Sequence, residues 1–236
     1  MRFSSPTSRP EDGLFLPEGA GPLIRCKVGY RALTVLAKQK DDSVAAPLFN
    51  VCIDGEIFAR LGAKLARTDD GQELLRARPN LQSGAVNMAT LHALPEGTLG
   101  HELARYYVDN GIKPFESPYP ISNDVDYLAK RYRETHDIVH VLTGYGTDPV
   151  SELELQAFAL GNLGLRQCIM IILFAAVTRA DGLPPVRKYT DKLWAAYRRG
   201  RKCKDILGPH YERYWESTVE DVRQQLHLPP LVRAIA

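Results

Sequence analysis

Apolar residues recur at spacings of three and four along most of the chain, and sustained apolar/polar alternation is almost absent. The spacing predicts helices over "GPLIRCKVGYRALTVLAKQ", "APLFNVCIDGEIFARLGAKLART", "GQELLRA", "GAVNMATLHAL", "HELARYYVDNG" and "VDYLAKRYRETHDIVHVLTG". Two long helices are predicted near the end of the chain, over residues 149–180 and 209–227. We therefore expect an all-α fold, a single-domain helical bundle of about eight helices.

Composition at the chain ends and turns defines the expected boundaries. Residues 1–21 lack the apolar core of a signal peptide and are predicted to form an extended or disordered arm, followed by one domain over residues 22–230. Residues 113–124 contain three prolines and are interpreted as a loop within that domain. The apolar run "CIMIILFAAV" is half the length of about 20 residues that a membrane span needs, so it predicts a buried helix or a groove wall.

Charge and cysteine content exclude some functions. The net charge of +2 gives no general support for nucleic-acid binding. The four cysteines are scattered, without a C-x-x-C pair, which favours a reducing compartment and argues against a cysteine-ligated metal.

The strongest chemical signal is the segment "THDIVHVLTGYGTDPVSE", residues 135–152. His136 and His140 are one helical turn apart and project from one face, with Asp137 close enough to swing towards the same point. Asp148-Pro149 is typical of an N-cap and first helical residue. A returning antiparallel helix would then bring Glu152 alongside the histidines.

Two neutral imidazoles and two carboxylates have a combined charge of −2, which balances one divalent cation. Other interpretations exist: a structural histidine pair, a zincin protease, or a histidine-aspartate phosphohydrolase that uses His101 as a further ligand. A zincin would need glutamate where Asp137 stands.

The pattern H-D-x-x-H, eleven further residues and then E resembles the hallmark of a ubiquinone-biosynthesis family, coenzyme Q biosynthesis protein four. "RPNL", "LPEGTLGHEL", "RYRETHD" and "YERYWE" are similar to its other signatures and stand in the same order. The resemblance extends from about residue 25 to residue 228.

The resemblance implies an all-α homodimer in which His136, Asp137, His140 and Glu152 ligate a divalent metal, with zinc first and iron or manganese as alternatives. It implies a hydrophobic groove for a prenylated quinone precursor or another isoprenoid lipid. Family members are peripheral on the membrane where quinone is made. For a cytoplasmic protein, the expected location is the inner face of the membrane. For a eukaryotic protein, it is the matrix side of the inner mitochondrial membrane.

The same resemblance leaves two roles open. One is a metal-dependent enzyme that replaces the C1 carboxyl of a prenylated aromatic ring by hydroxyl, with Asp137 and Arg133 as catalytic residues. Zinc is redox-inactive, so the oxidative step would need another electron path or bound iron. The other role is a non-catalytic scaffold that organises the other quinone-biosynthesis enzymes around a structural metal.

Several other residues have both a functional and a structural interpretation. Arg133 could hold a substrate carboxylate in a bidentate fork, whereas Lys130 and Glu134 are spaced for a solvated salt bridge. Gly161 and Gly164 indicate close helix packing or room for a prenyl chain. The basic segment "YRRGRKCK", residues 197–204, is interpreted as a solvated turn or a contact with anionic lipid.

Overall fold

The computed structural model describes residues 12–17, 19–39, 42–81, 86–115, 121–179 and 182–231. These ranges contain eleven α-helices and no β-strand, so the predicted all-α class is confirmed and the helix number exceeds the expected eight. The helices are α1 Pro22–Leu36, α2 Ala45–Leu65, α3 Asp69–Ala77, α4 Met88–His92, α5 Leu99–Asn110, α6 Asp124–Glu134, α7 His136–Thr143, α8 Pro149–Leu163, α9 Arg166–Thr178, α10 Thr190–Lys202 and α11 Val219–Gln225.

The helices group into two compact units. One comprises Met1–Ala85 with Pro114–Glu134, and the other comprises Val86–Lys113 with Thr135–Ala236. The division of the chain into an arm and a single domain stays a prediction. Residues 1–11 and 18 of the arm lie outside the described part, whereas Leu14 and Leu16 within it are buried. In the proline-rich loop, residues 116–120 also lie outside it.

In the first unit, α2 packs against both α1 and α6. Most of its side chains are buried, which explains its apolar character on nearly all sides. Asn50 is buried on this helix and donates a hydrogen bond to the Ala129 carbonyl of α6, 3.0 Å away. This bond satisfies an amide that would otherwise be costly to bury.

In the second unit, the largest contact is between α8 and α10, with α9 beside α8. A cluster of Leu153, Ala175, Leu183 and Tyr189 forms one part of the core. Helices α5 and α11 both contact α7, the short helix that carries the two histidines of the motif. None of the described helices combines the length and the apolar content needed to cross a bilayer.

Two of the predicted helices are divided. The helix expected through the histidine motif ends at Glu134 and starts again at His136, with Thr135 in a turn between α6 and α7. The helix expected over residues 149–180 ends before Gly164, which adopts φ +74° and begins a short break before α9. A left-handed glycine after a helix is a common stop signal, and it outweighed the apolar periodicity here. Ala180 lies outside the described residues.

The prediction for the end of the chain was wrong. Most of the basic segment expected as a turn belongs to helix α10, and residues 209–227 contain only a 3₁₀ turn, Tyr211–Arg213, and the short helix α11. The carbonyls of Trp215 and Ser217 accept hydrogen bonds from the first turn of α5. Because these carbonyls are committed to another helix, the local apolar spacing does not continue as helix.

Candidate metal centre

Helix α7 brings the two histidines of the motif together. The rings of His136 and His140 meet edge to face, with 4.6 Å between their centroids. Gly144 follows the helix with φ +76°, a backbone conformation that favours glycine, and it turns the chain towards α8. The sequence expectation of one shared helix face is therefore met.

Glu152 reaches the same place from the first turn of α8. The side chain of Asp148 accepts hydrogen bonds from the backbone N–H groups of Val150 and Ser151, and Pro149 is the first helical residue. This is the predicted cap. One Glu152 carboxylate oxygen lies 3.5 Å from Nε2 of His140, and the other lies 3.7 Å from Nε2 of His136.

Hydrogen bonds orient both imidazoles towards Glu152. Nδ1 of His140 lies 3.1 Å from the Tyr145 carbonyl oxygen, which can only accept, so Nδ1 carries the proton of the neutral imidazole and the lone pair of this form is on Nε2. Nδ1 of His136 lies 3.2 Å from Oδ1 of Asp137. Metal-bound histidines usually donate their second N–H in this way.

Asp137 occupies a different position from the other three motif residues. Its Oδ1 faces His136, and its Oδ2 accepts a hydrogen bond of 2.9 Å from the Tyr107 hydroxyl. Among the described residues, the group whose ligand atoms all lie within 4.8 Å of one another consists of His136, His140 and Glu152. The role of Asp137 as a fourth ligand stays a prediction.

The donor set fits a divalent metal such as zinc. Ligand atoms bound tetrahedrally at the usual zinc distances are about 3.3–3.5 Å apart. Each histidine Nε2 lies at a similar distance, 3.5 or 3.7 Å, from one of the two carboxylate oxygens of Glu152. Nε2 of His140 is buried and has no hydrogen-bond partner in the described part of the chain. A buried nitrogen lone pair beside a carboxylate is what a metal ligand requires.

The electrostatic potential at the site also favours a cation. Burial alone would lower the pKa of His140, but the carboxylate of Glu152, the carbonyl of Tyr145 and the carboxylate of Asp137 together hold this pKa above 6.5. These groups stabilise positive charge at the imidazole, and they would act on a metal ion in the same way.

Two tyrosines of α5 form a wall of the site that sequence reasoning missed. The ring of Tyr106 stacks on His140, with 5.5 Å between centroids and 23° between planes. Tyr107, the next residue, donates to Asp137. The pair "YY" in "HELARYYVDNG" was the available signal, but only the tertiary contact of α5 with α7 relates it to the histidines.

Two arginines hold the carboxyl end of α7. Arg199 donates to the Thr143 carbonyl at 2.8 Å, and Arg223 donates to the carbonyls of Leu142 and Val141 at 2.7 and 3.3 Å. Such groups satisfy the last carbonyls of a helix and complement its negative end. They fix the helix end from which Tyr145 orients His140.

The remaining sequence candidates are not members of the three-residue group. Arg133 is on α6 in the first unit, where its guanidinium lies over the Phe115 ring at 4.6 Å, and its substrate-binding role stays a prediction. Lys130 and Glu134 do pair, at 2.9 Å, but both are buried, so the expected solvated pair was wrong. Nδ1 of His101 lies 2.9 Å from the Leu94 carbonyl, and His101 does not belong to the three-residue group.

The family profile described as "Coenzyme Q (ubiquinone) biosynthesis protein Coq4" matches residues 27–231, most of the chain. The chain belongs to the Coq4 family. Its resemblance to that family, carried by the H-D-x-x-H and glutamate pattern, is thereby confirmed.

Proteins named ubiquinone biosynthesis protein COQ4 homolog, mitochondrial, are similar to this chain along much of its length. The Xenopus laevis protein is 30% identical over 225 residues, which cover 92% of this chain and 76% of that protein. The Danio rerio and Homo sapiens proteins are 28% and 30% identical, over 75% and 71% of this chain. The chain spans 66% and 65% of their lengths, slightly less than two thirds.

The fold also resembles that of a crystal structure from Nostoc punctiforme, described as a candidate ubiquinone biosynthesis protein. The TM-score is 0.66 at 24% sequence identity, and the match covers 94% of this chain and 99% of that one. At this level of identity the likeness concerns the fold alone.

Proposed function

We propose that this Coq4-family protein binds one divalent metal ion through His136, His140 and Glu152. We propose further that it replaces the C1 carboxyl of a prenylated aromatic ring by hydroxyl during ubiquinone biosynthesis. The observation that carries the proposal is the convergence of these three side chains, whose ligand atoms all lie within 4.8 Å of one another. Zinc, iron and manganese all suit two imidazoles and a carboxylate.

The exposure of the three side chains favours catalysis over a purely structural metal. The His140 side chain is fully buried, whereas 19% of His136 and 33% of Glu152 is accessible to solvent. A set of three protein ligands with one accessible side is typical of catalytic sites, whereas structural sites are closed by four ligands. A bound metal would polarise a carboxylate or carbonyl oxygen of the substrate.

The residues of the chain would orient the reacting groups. Tyr145 and Asp137 hold the two imidazoles in one tautomer each, and the stacked ring of Tyr106 covers one face of His140. The sequence-based assignment of Arg133 to a substrate carboxylate stays a separate prediction, which rests on the two parallel donors that a guanidinium offers. The overall reaction is a two-electron oxidation of the ring in which the carboxyl leaves as carbon dioxide. With dioxygen as the oxidant, one oxygen atom enters the hydroxyl group and the other leaves as water, and an external donor supplies the two further electrons and two protons.

The isoprenoid tail is proposed to contact helix α9. Ile169, Leu173 and Val177 lie four residues apart on this helix and are exposed, which is unusual for three large apolar side chains on one face. An apolar stripe of this kind also suits peripheral contact with a membrane, the location implied by the family resemblance. The homodimer and the association with other quinone-biosynthesis enzymes stay predictions.

Metal analysis tests the first part of the proposal. Protein purified with excess divalent metal should contain about one ion per chain, and His140→Ala should lose most of it because a buried ligand disappears. His101→Ala is a matched control, since this histidine lies outside the three-residue group. Wild-type protein without metal under these conditions would refute the assignment.

A replacement experiment separates the enzyme from the scaffold. In a host whose own family member is replaced by the Asp137→Asn protein, with metal content confirmed, we expect a ring intermediate that still carries its C1 carboxyl to accumulate. The loss of the carboxylate beside His136 should change the electronic properties of the site even where metal remains. Normal quinone output from this variant would instead support the scaffold.

A further inference from the structure

Gln156 lies on α8, one turn beyond Glu152, and the oxygen of its side-chain amide is buried. This oxygen has no hydrogen-bond partner in the described part of the chain, a property that it shares with Nε2 of His140 at the candidate metal centre. Proteins rarely bury an amide oxygen in this way, because the lost bond to water is then not replaced. The side chain is therefore suited to a partner from outside the chain.

Helical geometry places Gln156 between the metal centre and α9. Four residues advance a helix by about 6 Å and rotate it by about 40°, so the Gln156 side chain leaves α8 close to that of Glu152. Leu153, about 60° further round the helix, packs in the cluster that includes Ala175 of α9. The side of α8 that carries Gly161 packs against α10 instead. Gln156 thus borders both the metal centre and the face of α8 that meets α9.

This position suits one end of an aromatic ring whose other end lies at the metal. The advance of about 6 Å over four helical residues is similar to the distance between two substituents on opposite positions of a benzene ring. A ring with its carboxyl group at the metal centre therefore directs its para substituent towards residue 156. An amide oxygen only accepts hydrogen bonds, so the substituent that matches it is a hydroxyl group, which donates.

We propose that Gln156 is a positioning residue that accepts a hydrogen bond from a ring hydroxyl para to the substrate carboxyl. The inference rests on the proposed function, because it takes the carboxyl to lie at the metal. Contacts at two opposite positions of the ring fix its orientation. They also make the hydroxyl a requirement for tight binding, because a ring without it leaves the buried amide oxygen unpaired.

Calorimetric titration of the zinc-loaded full chain tests this role. Zinc is redox-inactive, so the probes bind without oxidation. The two probes are para-hydroxybenzoate with a geranyl chain beside the hydroxyl, and the same geranylated benzoate without the hydroxyl. The wild type should bind the hydroxylated probe at least about tenfold more tightly, because the other probe leaves the amide oxygen unpaired. Gln156→Leu should bring this ratio of dissociation constants close to one.

Two further variants separate positioning from folding. Gln225→Leu makes the same substitution at an exposed position of α11 and should keep the ratio of the wild type. Gln156→Met keeps the length of the side chain without the amide, and it replaces Gln156→Leu if that variant does not fold. Zinc content and urea unfolding show that each variant retains the metal and the fold.

Three outcomes would contradict the inference. An unchanged ratio in zinc-loaded Gln156→Leu would overturn it and leave the proposed function intact. An equal loss of affinity for both probes would assign Gln156 a purely structural role and overturn it as well. A zinc-loaded wild type that binds neither probe would remove both the inference and the proposed ring substrate.

Discussion

At the residue scale, Asp148 determines where α8 begins and thus where Glu152 points. Its side chain accepts from two backbone N–H groups, and Ser151 adds a short side-chain hydrogen bond. Burial is the largest single influence on the pKa of Asp148 and raises it, but these hydrogen bonds and the charge of Lys192 together outweigh burial and hold the pKa below 3.8. The ionised form is thus favoured in the folded state.

Removal of this cap should destabilise the protein. Asp148→Ala is expected to lower the free energy of unfolding by about 1 kcal/mol, as for other N-caps. Asp148→Asn retains an acceptor oxygen and is the matched control. Equal unfolding free energies for the alanine variant and the wild type, measured in urea near neutral pH, would contradict the role of the cap.

The same carboxylate predicts a pH dependence. A folded-state pKa below the unfolded value stabilises the protein at pH values above the unfolded pKa, and this stabilisation disappears as the pH falls through the folded pKa. The advantage of the wild type over Asp148→Asn should therefore shrink between about pH 5 and about pH 2. A constant difference over that range would show that the charge contributes nothing.

At the element scale, α8 and α10 cross so closely that each needs a glycine at the contact. A Cβ added at Gly161 would lie 2.2 Å from the Tyr197 carbonyl oxygen, and one added at Gly200 would lie 2.1 Å from that of Phe158. Both obstacles are backbone atoms, which move less easily than side-chain ends. Close packing therefore explains Gly161, and the alternative of room for a prenyl chain is wrong there.

The crossing gives a direct test of packing in the second unit. Gly161→Ala should lower the free energy of unfolding by about 1–3 kcal/mol, the usual cost of overpacking, despite the better helix propensity of alanine. Gly21→Ala is a suitable control, because nothing lies within 4 Å of its added Cβ and its φ is −72°. A higher free energy of unfolding for Gly161→Ala than for the wild type would contradict this prediction, because α8 and α10 would then accommodate the added methyl group without loss of stability.

At the scale of the whole molecule, the surface of α9 is the feature that the core does not explain. Ile171 and Ile172 pack against the cluster of Leu153 and Tyr189, whereas Leu173 is 59% exposed. The adjacent residues Ile172 and Leu173 of α9 thus differ in their surroundings, since one packs against the core and the other is exposed to solvent. The predicted buried helix describes one side of α9, whereas the groove wall stays a prediction.

Lipid binding should depend on the exposed side alone. Leu173→Glu is expected to weaken binding to vesicles that contain an isoprenoid quinone at least severalfold, because a charge replaces an apolar contact. Val108→Glu, at a position on α5 that is 70% exposed, introduces the same charge away from α9. Equal binding by both folded variants, measured by vesicle sedimentation, would exclude this surface as the lipid contact.

Local chemistry in the sequence determined the helical class, the cap at Asp148 and the approach of Glu152 to the two histidines. The cap and the histidine pair depend on residues within one or two turns of each other, and Glu152 stands only 12 residues after His140, so spacing, proline and capping preferences act directly. The family resemblance followed from the same short stretch. The helix ends were less predictable, since Gly164 ended α8 within an apolar run that continued beyond it.

Tertiary structure alone decided which groups surround the site. Tyr107 stands 30 positions before Asp137, Tyr106 stands one position earlier, and Arg199 stands 56 positions after Thr143. No local spacing relates these residues, because they meet only when α5, α10 and α11 pack in the same unit as α7. The orientation of Asp137 towards Tyr107 has the same cause: helical geometry places a carboxylate near the histidines, and a distant hydroxyl selects its direction.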